Sequence, residues 1–230
     1  MDAEAARSLF DANAAGYDRV NTLISVGLDA RWRRWVARRA VTRPGARVLD
    51  AFAGTGLVGV ECAVLGAEVT LADASPRMLA RASAHAAERG VEVCEIVTDL
   101  TAEVLPLEPG SFDAVTLSFG IRYLDEPAGV LRRLGSLLAP GGRLVVLEFV
   151  RPTAGPVTAA ASLYFFRLLP RIASRLAGRA ELYGYLVTSV DRVGHVRDLE
   201  HLLVSAGYGV TERRTFGFGL VAGLVCHPRA

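Results

Sequence analysis

The sequence contains no lysine and no glutamine, and its only asparagines are Asn13 and Asn21. All 26 basic residues are therefore arginines. A side-chain Schiff base requires a lysine amine, so lysine-dependent pyridoxal and aldolase mechanisms are excluded. A P-loop nucleotide triphosphatase is excluded as well, because its phosphate-binding loop requires a lysine.

The sequence also lacks an excess of charge of one sign, since it has 26 basic and 24 acidic residues and a net charge of +2. This balance gives no compositional reason to expect a nucleic-acid partner. Cys62, Cys94 and Cys226 stand far apart and in no metal-ligand spacing, which favours reduced thiols and no bound metal. The polar start does not resemble a signal peptide, and no apolar run reaches the roughly 18 residues of a spanning helix. We therefore expect a cytoplasmic globular protein.

From residue 44 onward, short apolar runs alternate with longer helical segments. The predicted strands are 46–52, 67–72, 91–97, 112–119 and 142–149, with predicted helices at 56–65, 75–89 and 127–138. Continuous Val and Leu runs separated by helices indicate a parallel sheet covered on both faces. Two final strands, 208–215 and 218–226, form a closing antiparallel hairpin across a Phe216-Gly217 link. The predicted fold is α/β, with a mostly parallel seven-stranded sheet.

The organisation around this sheet divides one domain into four parts. We predict a helical cap at 1–43, a cofactor-binding core at 44–150, a helical insertion at 151–207 and the hairpin at 208–230. Within the insertion, 156–176 is apolar nearly all round and is interrupted by Pro170, and further helices are predicted at 179–190 and 196–206.

A glycine-rich loop follows the first predicted strand. Gly54, Gly56 and Gly59 have the spacing G-x-G-x-x-G, which lets a ligand approach the backbone at the start of a helix. Asp73 ends the second predicted strand, where a carboxylate can accept hydrogen bonds from ribose hydroxyls. The pattern predicts a cofactor that contains a nucleoside.

Asp50, four residues before Gly54, bears on the class of cofactor. A carboxylate there would repel the pyrophosphate of a dinucleotide, whereas S-adenosylmethionine carries a sulfonium and an ammonium charge. The sequence therefore favours a methyltransferase over a nicotinamide-dependent oxidoreductase. In a second interpretation Asp50 only caps the loop backbone, which suits either cofactor.

These segments resemble a known family. The run V-L-D-A-F-A-G-T-G at 48–56, with Asp73, resembles the Rossmann-like class I S-adenosylmethionine-dependent methyltransferases. Further segments resemble the C-methyltransferases of ubiquinone and menaquinone biosynthesis, of the UbiE/MenG type: Tyr17-Asp18, Leu105-Pro106-Leu107, Ser118-Phe119-Gly120-Ile121-Arg122, Pro140-Gly141-Gly142-Arg143 and Tyr183-Gly184-Tyr185-Leu186. The resemblance implies methylation of a ring carbon on a prenylated quinol such as demethylmenaquinol.

The resemblance also implies a set of cofactor-binding residues. Asp50 and the glycine loop would lie near the methionine moiety, with Asp73 on the ribose. The residue that meets adenine is ambiguous, because counting back from Pro106 reaches Thr101, whereas the carboxylate of Asp99 lies two residues earlier and is favoured. The full implied set is Asp50, Gly54, Thr55, Gly56, Asp73, Ala74, Met78, Asp99, Leu100 and Ser118.

The implied catalytic segment is centred on Arg122, which the resemblance puts near the quinol oxygen. A guanidinium cannot act as a base, but it can stabilise a phenolate or hold a water molecule. Without the motif, Arg122 would be interpreted as one more surface arginine. Glu148 is a secondary candidate, either for substrate contact or as a structural hydrogen-bond acceptor.

Two departures from the family pattern put the acceptor in doubt. Tyr123 stands where the family has asparagine, and Gly194-His195 replaces Phe-Pro. His195 is a candidate general base, although a helix-capping or solvent-exposed histidine is the favoured interpretation. The other three histidines, His85, His201 and His227, are predicted to be solvated.

Several alternatives stay open. The stretch 156–169 fits a lid over an isoprenoid tail as well as it fits packing in the core or in a homodimer, and if exposed it would allow peripheral contact with the inner face of a membrane. The acceptor is either a lipid quinol or an aromatic or polyketide intermediate of specialised metabolism. More distant hypotheses are an oxidoreductase and a protein that binds S-adenosylmethionine without turnover.

Overall fold

The computed structural model describes residues 22, 25, 27–153, 155, 158 and 189–229. Its α-helices are α1 (Asp29–Ala40), α2 (Leu57–Val64), α3 (Pro76–Glu88), α4 (Pro127–Ser136) and α5 (Val196–Ser205). Its strands are β1 (Arg47–Ala51), β2 (Glu68–Asp73), β3 (Cys94–Val97), β4 (Phe112–Ser118), β5 (Leu138–Phe149), β6 (Tyr208–Phe216) and β7 (Val221–Pro228). Short 3-10 turns cover Ile121–Tyr123, Val190–Arg192 and Gly217–Gly219.

The seven strands form one sheet in the order β3-β2-β1-β4-β5-β7-β6. Strands β1 to β5 are parallel, and β7 is antiparallel to both β5 and β6. The carboxyl ends of the parallel strands therefore share one edge, where ligands bind in open α/β sheets. The prediction of a mostly parallel sheet with a terminal hairpin is confirmed.

Two apolar layers cover the sheet. One contains residues of α4 and α5, such as Leu131 and Leu199, and the other contains residues of α1, α2 and α3, such as Trp35, Val58 and Leu79. Each helix buries one face of its surface against the continuous Val and Leu runs of the strands, as burial on both sides of a parallel sheet requires. The Tyr208 hydroxyl donates to the Leu131 carbonyl at 2.8 Å, which ties β6 to α4.

Three strands begin three or more residues away from the predicted position. Strand β5 begins at Leu138, before the predicted 142, because Leu138 pairs with Phe112 and Arg143 pairs with Ala114, which leaves 139–142 as a bulge. Strand β3 covers only Cys94–Val97 of the predicted 91–97. Strand β7 begins at Val221 because Phe218 has φ 58, which an extended strand does not allow.

Some predictions lie outside the described residues. These are the helices predicted before residue 22, most of the insertion at 154–188 with its proposed lid at 156–169, and the Tyr183–Leu186 segment. In the described part of the chain, no helix is both long and apolar enough to cross a bilayer. Cys62, Cys94 and Cys226 are all described and form no disulfide.

Candidate active site

The glycine loop lies between β1 and α2 at the carboxyl edge of the sheet. Gly56 and Gly54 both have positive φ, and a Cβ on Gly56 would lie 2.5 Å from the Cβ of Ala82 in α3. A Cβ on Gly59 would lie 2.2 Å from Leu71 Cδ2, so this glycine lets α2 pack closely on β2. In front of Gly54, by contrast, a Cβ would meet nothing within 4 Å. The segment is therefore tightly packed at Gly56 and Gly59 and open at Gly54, as close approach of the backbone to a ligand requires.

Asp50 braces this loop from inside the protein. Its side chain is buried, Oδ2 accepts the Gly59 N–H at 2.8 Å, and Oδ1 accepts the Thr116 hydroxyl at 2.6 Å. Burial is the main reason that the Asp50 pKa is raised to about 7, and the nearby Asp73 charge raises it further. These contacts confirm the loop-capping interpretation, whereas direct contact of Asp50 with a cofactor stays a prediction.

Asp73 joins the loop to the second helix of the site. Its Oδ2 accepts the Gly54 N–H at 2.8 Å, and its Oδ1 accepts the Ser75 N–H at 2.9 Å. Ser75 in turn caps α3, because its hydroxyl accepts the N–H of Met78 at 3.1 Å. A carboxylate is an acceptor-only group, and ribose hydroxyls are donors of the kind that it binds.

His85 contacts the glycine loop, which its local sequence did not predict. It had been predicted to be solvated, but its Nδ1 lies 2.9 Å from the carbonyl oxygen of Thr55 in the glycine loop. The prediction was wrong because the contact joins residues 30 positions apart, which only the packing of α3 against the loop brings together. The one available signal was its position on the helix that follows Asp73.

The residues proposed for adenine share one turn after β3. Asp99 Oδ1 accepts both the backbone N–H of Thr101 at 2.8 Å and its hydroxyl at 2.7 Å. Asp99 and Thr101 are both exposed, and Leu100 between them is buried. The two candidates are thus hydrogen-bonded to each other, and which of them meets adenine stays a prediction.

The remaining predicted cofactor residues lie at neighbouring strand ends. Ala74 follows β2 and is half-buried, and Thr55 and Met78 are buried. Ser118 is the last residue of β4, and its hydroxyl is shielded from solvent without a hydrogen-bond partner among the described residues. Because buried polar groups are nearly always hydrogen-bonded, this hydroxyl is suited to a bound ligand.

Arg122 lies in the 3-10 turn after β4, and only 2% of it is exposed. Its guanidinium carbon is 4.9 Å from the ring centre of Tyr123, 5.0 Å from that of Phe149 and 5.9 Å from that of Phe119. These distances allow cation–π contact with all three rings. The interpretation of Arg122 as an ordinary surface arginine was therefore wrong.

Glu148 supplies the carboxylate that faces this cation. Its Oε1 is 4.0 Å from Arg122 Nη1 and accepts the Phe149 N–H at 2.8 Å, and its Oε2 accepts the Ile121 N–H at 3.0 Å. Burial raises the pKa of Glu148, while the Arg122 charge opposes that shift. Of its two sequence interpretations, the structural acceptor is the one these contacts support.

The structure separates the other catalytic candidates. Tyr123 is half-buried beside Arg122, whereas His195 is exposed and is the N-cap residue of α5. Asp198 Oδ2 accepts the His195 N–H at 2.8 Å, and His195 Nδ1 lies 2.9 Å from the Arg151 carbonyl oxygen. The helix-cap interpretation of His195 is confirmed, and a role as general base stays a prediction. His227, predicted to be solvated, is half-buried, with Nδ1 at 3.2 Å from the Gly142 carbonyl oxygen.

Comparison with known proteins agrees with this geometry. The model of the ubiE/COQ5 methyltransferase family matches residues 1–227. A demethylmenaquinone methyltransferase of Thermus thermophilus is 39% identical over 216 residues, which cover 93% of this chain and 97% of the relative. The demethylmenaquinone methyltransferase of Mycobacterium marinum is 39% identical, with 94% of this chain and 90% of the relative covered.

Solved structures share the fold at lower sequence identity. A SAM-dependent methyltransferase from Aquifex aeolicus has a TM-score of 0.61 at 16% identity, covering 84% of this chain and 88% of that one. The [4+2]-cyclase SpnF has a TM-score of 0.65 at 20% identity, covering 100% of this chain and 98% of that one. A methyltransferase and a cyclase on the same fold illustrate that the fold alone does not define the reaction.

Proposed function

The chain belongs to the ubiE/COQ5 methyltransferase family, and on that premise we propose that it methylates a ring carbon of a demethylmenaquinol-like prenylated quinol. It is an S-adenosylmethionine-dependent methyltransferase. The observation that carries the choice of acceptor is the identity of 37–39% to relatives named demethylmenaquinone methyltransferase, over nearly the whole length of each.

The residues that would hold the cofactor fit its chemistry. The open space in front of Gly54 admits a ligand against the loop, and the carboxylate of Asp73 can accept hydrogen bonds from ribose hydroxyls. The unpaired Ser118 hydroxyl adds a polar group at the adjacent strand end. When bound, S-adenosylmethionine supplies an electrophilic methyl group on a positively charged sulfur.

Arg122 is proposed to act on the methyl acceptor. A quinol ring carbon becomes a better nucleophile when the adjacent hydroxyl loses its proton, because the phenolate pushes electron density into the ring. A buried guanidinium favours that phenolate by charge, and Glu148 with the three aromatic rings holds the guanidinium in position. Arg122 would therefore act as a fixed positive charge while another group or a water accepts the proton.

The proposal is tested by methyl transfer from labelled S-adenosylmethionine to a panel of reduced acceptors. The panel contains a short-tail demethylmenaquinol, a demethylated ubiquinol precursor and simple phenols. We expect label on a ring carbon of the demethylmenaquinol at the highest kcat/KM. Transfer to phenols or polyketide aromatics with none to any quinol would contradict the quinol assignment and favour an acceptor from specialised metabolism. Tyr123, in place of the family's asparagine, is the residue that motivates including those acceptors.

The role of Arg122 is tested separately with Arg122→Met and Arg122→Lys. We expect Arg122→Met to lower kcat about a hundredfold, because stabilisation of developing negative charge is worth that much in comparable sites. Arg122→Lys, which keeps the charge, should retain more activity, and Arg132→Met on the exposed face of α4 is the matched control. Titration with S-adenosylhomocysteine checks that the cofactor site is intact. A folded Arg122→Met variant with full turnover would remove Arg122 from the mechanism.

A further inference from the structure

An open groove of about 430 Å³ lies outside the site described above, between α1 and the end of β6. Its floor is aromatic, formed by Trp32, Trp35 and Phe216. Its rim is basic, formed by Arg31, Arg34, Arg38, Arg39 and Arg214. No function assigned to the chain so far uses this basic groove.

Most arginines of the basic groove form no ion pair with another described residue. Arg39 forms a bidentate ion pair with Glu212, and Asp29 of the same helix is paired with Arg33. Arg31, Arg34, Arg38 and Arg214 form no ion pair in the described part of the chain, and all four are exposed. Four arginines on one face thus contrast with a net charge of only +2 for the whole protein.

An exposed aromatic residue stands beside the basic groove. Phe218, in the turn between β6 and β7, is 65% exposed and has φ 58, and glycines with positive φ lie on both sides of it. A left-handed conformation is costly for an aromatic residue, and such strain is found where function requires it. The turn therefore holds a large apolar side chain out in solvent, one residue after Gly217, which lines the basic groove.

The basic groove opens near the edge of the sheet that carries the methyl-transfer site. Phe149 at the end of β5 and Phe216 at the end of β6 both pair with Val221, so the two strand ends lie at the same edge. The Trp32 ring is 6.4 Å from both the Phe149 and the Phe216 ring centres. Phe149 also contacts Arg122, so one line of aromatic rings connects the groove with the acceptor side of the active site.

We propose that the basic groove and Phe218 form a docking surface for an anionic phospholipid bilayer. Arginines attract the phosphate headgroups, and an exposed aromatic side chain inserts at the interface, which together are the features of peripheral membrane binding. This inference rests on the proposed function, because a prenylated quinol is dissolved in a membrane and the docked edge is the one where its ring would enter.

The test is sedimentation of the full chain with vesicles of phosphatidylglycerol and phosphatidylcholine, and with phosphatidylcholine vesicles alone, at several salt concentrations that are matched between the two vesicle types. We expect binding to the anionic vesicles, decreasing with salt, and little binding to the neutral ones. Arg34→Gln/Arg38→Gln should weaken partitioning about thirtyfold, because each basic residue near such a surface contributes roughly a factor of five. Phe218→Ala should weaken it further, and should reduce the residual binding at high salt.

The matched control is Arg132→Gln/Arg197→Gln, which removes the same charge from exposed positions of α4 and α5 on the opposite face of the sheet. Equal losses in the two double variants, or none in either, would overturn the docking surface. A short fluorescent RNA is measured in parallel, and tight RNA binding lost in Arg34→Gln/Arg38→Gln, with no vesicle binding, would overturn it in favour of a nucleic-acid surface.

A soluble assay separates this proposal from the choice of acceptor. With a short-tail quinol and no vesicles, the docking variants should keep the wild-type kcat, whereas with the quinol in anionic vesicles their rate should fall in proportion to binding. Vesicle binding by a protein that methylates no quinol would refute the acceptor assignment and leave the docking surface intact. Quinol methylation without vesicle binding would refute the docking surface alone.

Discussion

The active-site edge has two halves, each named for its proposed ligand: the cofactor half, with the glycine loop, Asp50 and Asp73, and the acceptor half, with Arg122 and Glu148. Each half contains a fully buried carboxylate, and the two carboxylates are stabilised differently. Asp50, in the cofactor half, is hydrogen-bonded to a backbone N–H and a hydroxyl, and the charge that acts on its pKa is that of another carboxylate, Asp73. Glu148, in the acceptor half, is hydrogen-bonded to two backbone N–H groups and faces the Arg122 guanidinium.

The difference suggests how the two halves work. The cofactor half holds its shape by hydrogen bonds to backbone, and a carboxyl with a pKa of about 7 can brace the loop with or without its proton. The acceptor half holds a cation in a cage of three aromatic rings, and the Glu148 carboxyl group lies 4.0 Å from that cation. Loss of charge should therefore be tolerated at Asp50 and costly at Glu148.

The largest expected effect is the contrast between two amide substitutions. Glu148→Gln should lower the free energy of unfolding by about 3 kcal/mol, because it removes the negative charge that faces the buried Arg122. Asp50→Asn should cost only about 1 kcal/mol, because the amide oxygen can still accept a hydrogen bond. Urea denaturation of both variants at pH 7 measures the contrast, and equal losses would show that the two carboxylates have the same role.

The next effect concerns the packing behind the glycine loop. Gly59→Ala should destabilise the protein by about 2 kcal/mol, since the added Cβ would lie 2.2 Å from Leu71 Cδ2. Gly129→Ala is the matched control, because Gly129 is also helical and its Cβ would meet nothing closer than 3.6 Å. This control substitution should leave the free energy of unfolding unchanged or raise it by about 0.5 kcal/mol, because alanine has the higher helix propensity. Thermal unfolding compares the two, and a stable Gly59→Ala would disprove the close approach of α2 to β2.

Smaller per pH unit is the pH dependence caused by Asp50. The folded pKa of about 7 lies above the ordinary value of 3.8, so the folded protein keeps a proton that the unfolded chain releases. The contribution of Asp50 to stability is therefore fully present below pH 3.8 and is lost as the pH rises through the folded pKa of about 7. Between these two values the free energy of unfolding should fall by at most about 1.4 kcal/mol per pH unit. Subtracting the stability of Asp50→Asn from that of the wild type at each pH isolates this slope. A difference that rises with pH over that range would contradict the raised pKa.

The smallest expected effect is at His85, which contacts the glycine loop through the Thr55 carbonyl. His85→Ala should weaken binding of S-adenosylhomocysteine about fivefold, the value of one net hydrogen bond that positions the loop. His85→Asn, which keeps a side-chain donor, should recover part of the affinity, and kcat at saturating cofactor should be unchanged. His201→Ala, at an exposed position of α5, is the control in the same calorimetric titration. An affinity equal to that of the wild type would show that the contact does not position the loop.

The cofactor half could largely be predicted from local sequence. Gly54, Gly56 and Gly59 stand at fixed spacing behind one strand, and Asp73 ends the next, so the motif and the alternation of elements locate them without distant contacts. The capping role of Asp50 was among the predicted alternatives. The acceptor half was harder to predict from the sequence, because nothing local to one arginine among 26 shows that it is buried. The contact of His85 with the loop and the basic groove were not predicted either, because both depend on residues that are distant in the sequence.

By itself, the sequence determined the α/β class, the parallel sheet with its terminal hairpin, the glycine loop and the exclusion of lysine chemistry. These follow from patterns that span a few residues, in which burial and backbone conformation are imposed locally. Tertiary structure alone decided that Arg122 is caged by three rings and faces Glu148 and that His85 contacts the loop. It also decided that four arginines, which form no ion pair among the described residues, line one groove with Gly217. Such features depend on which strand ends and helix faces become neighbours, and no local spacing encodes those distances.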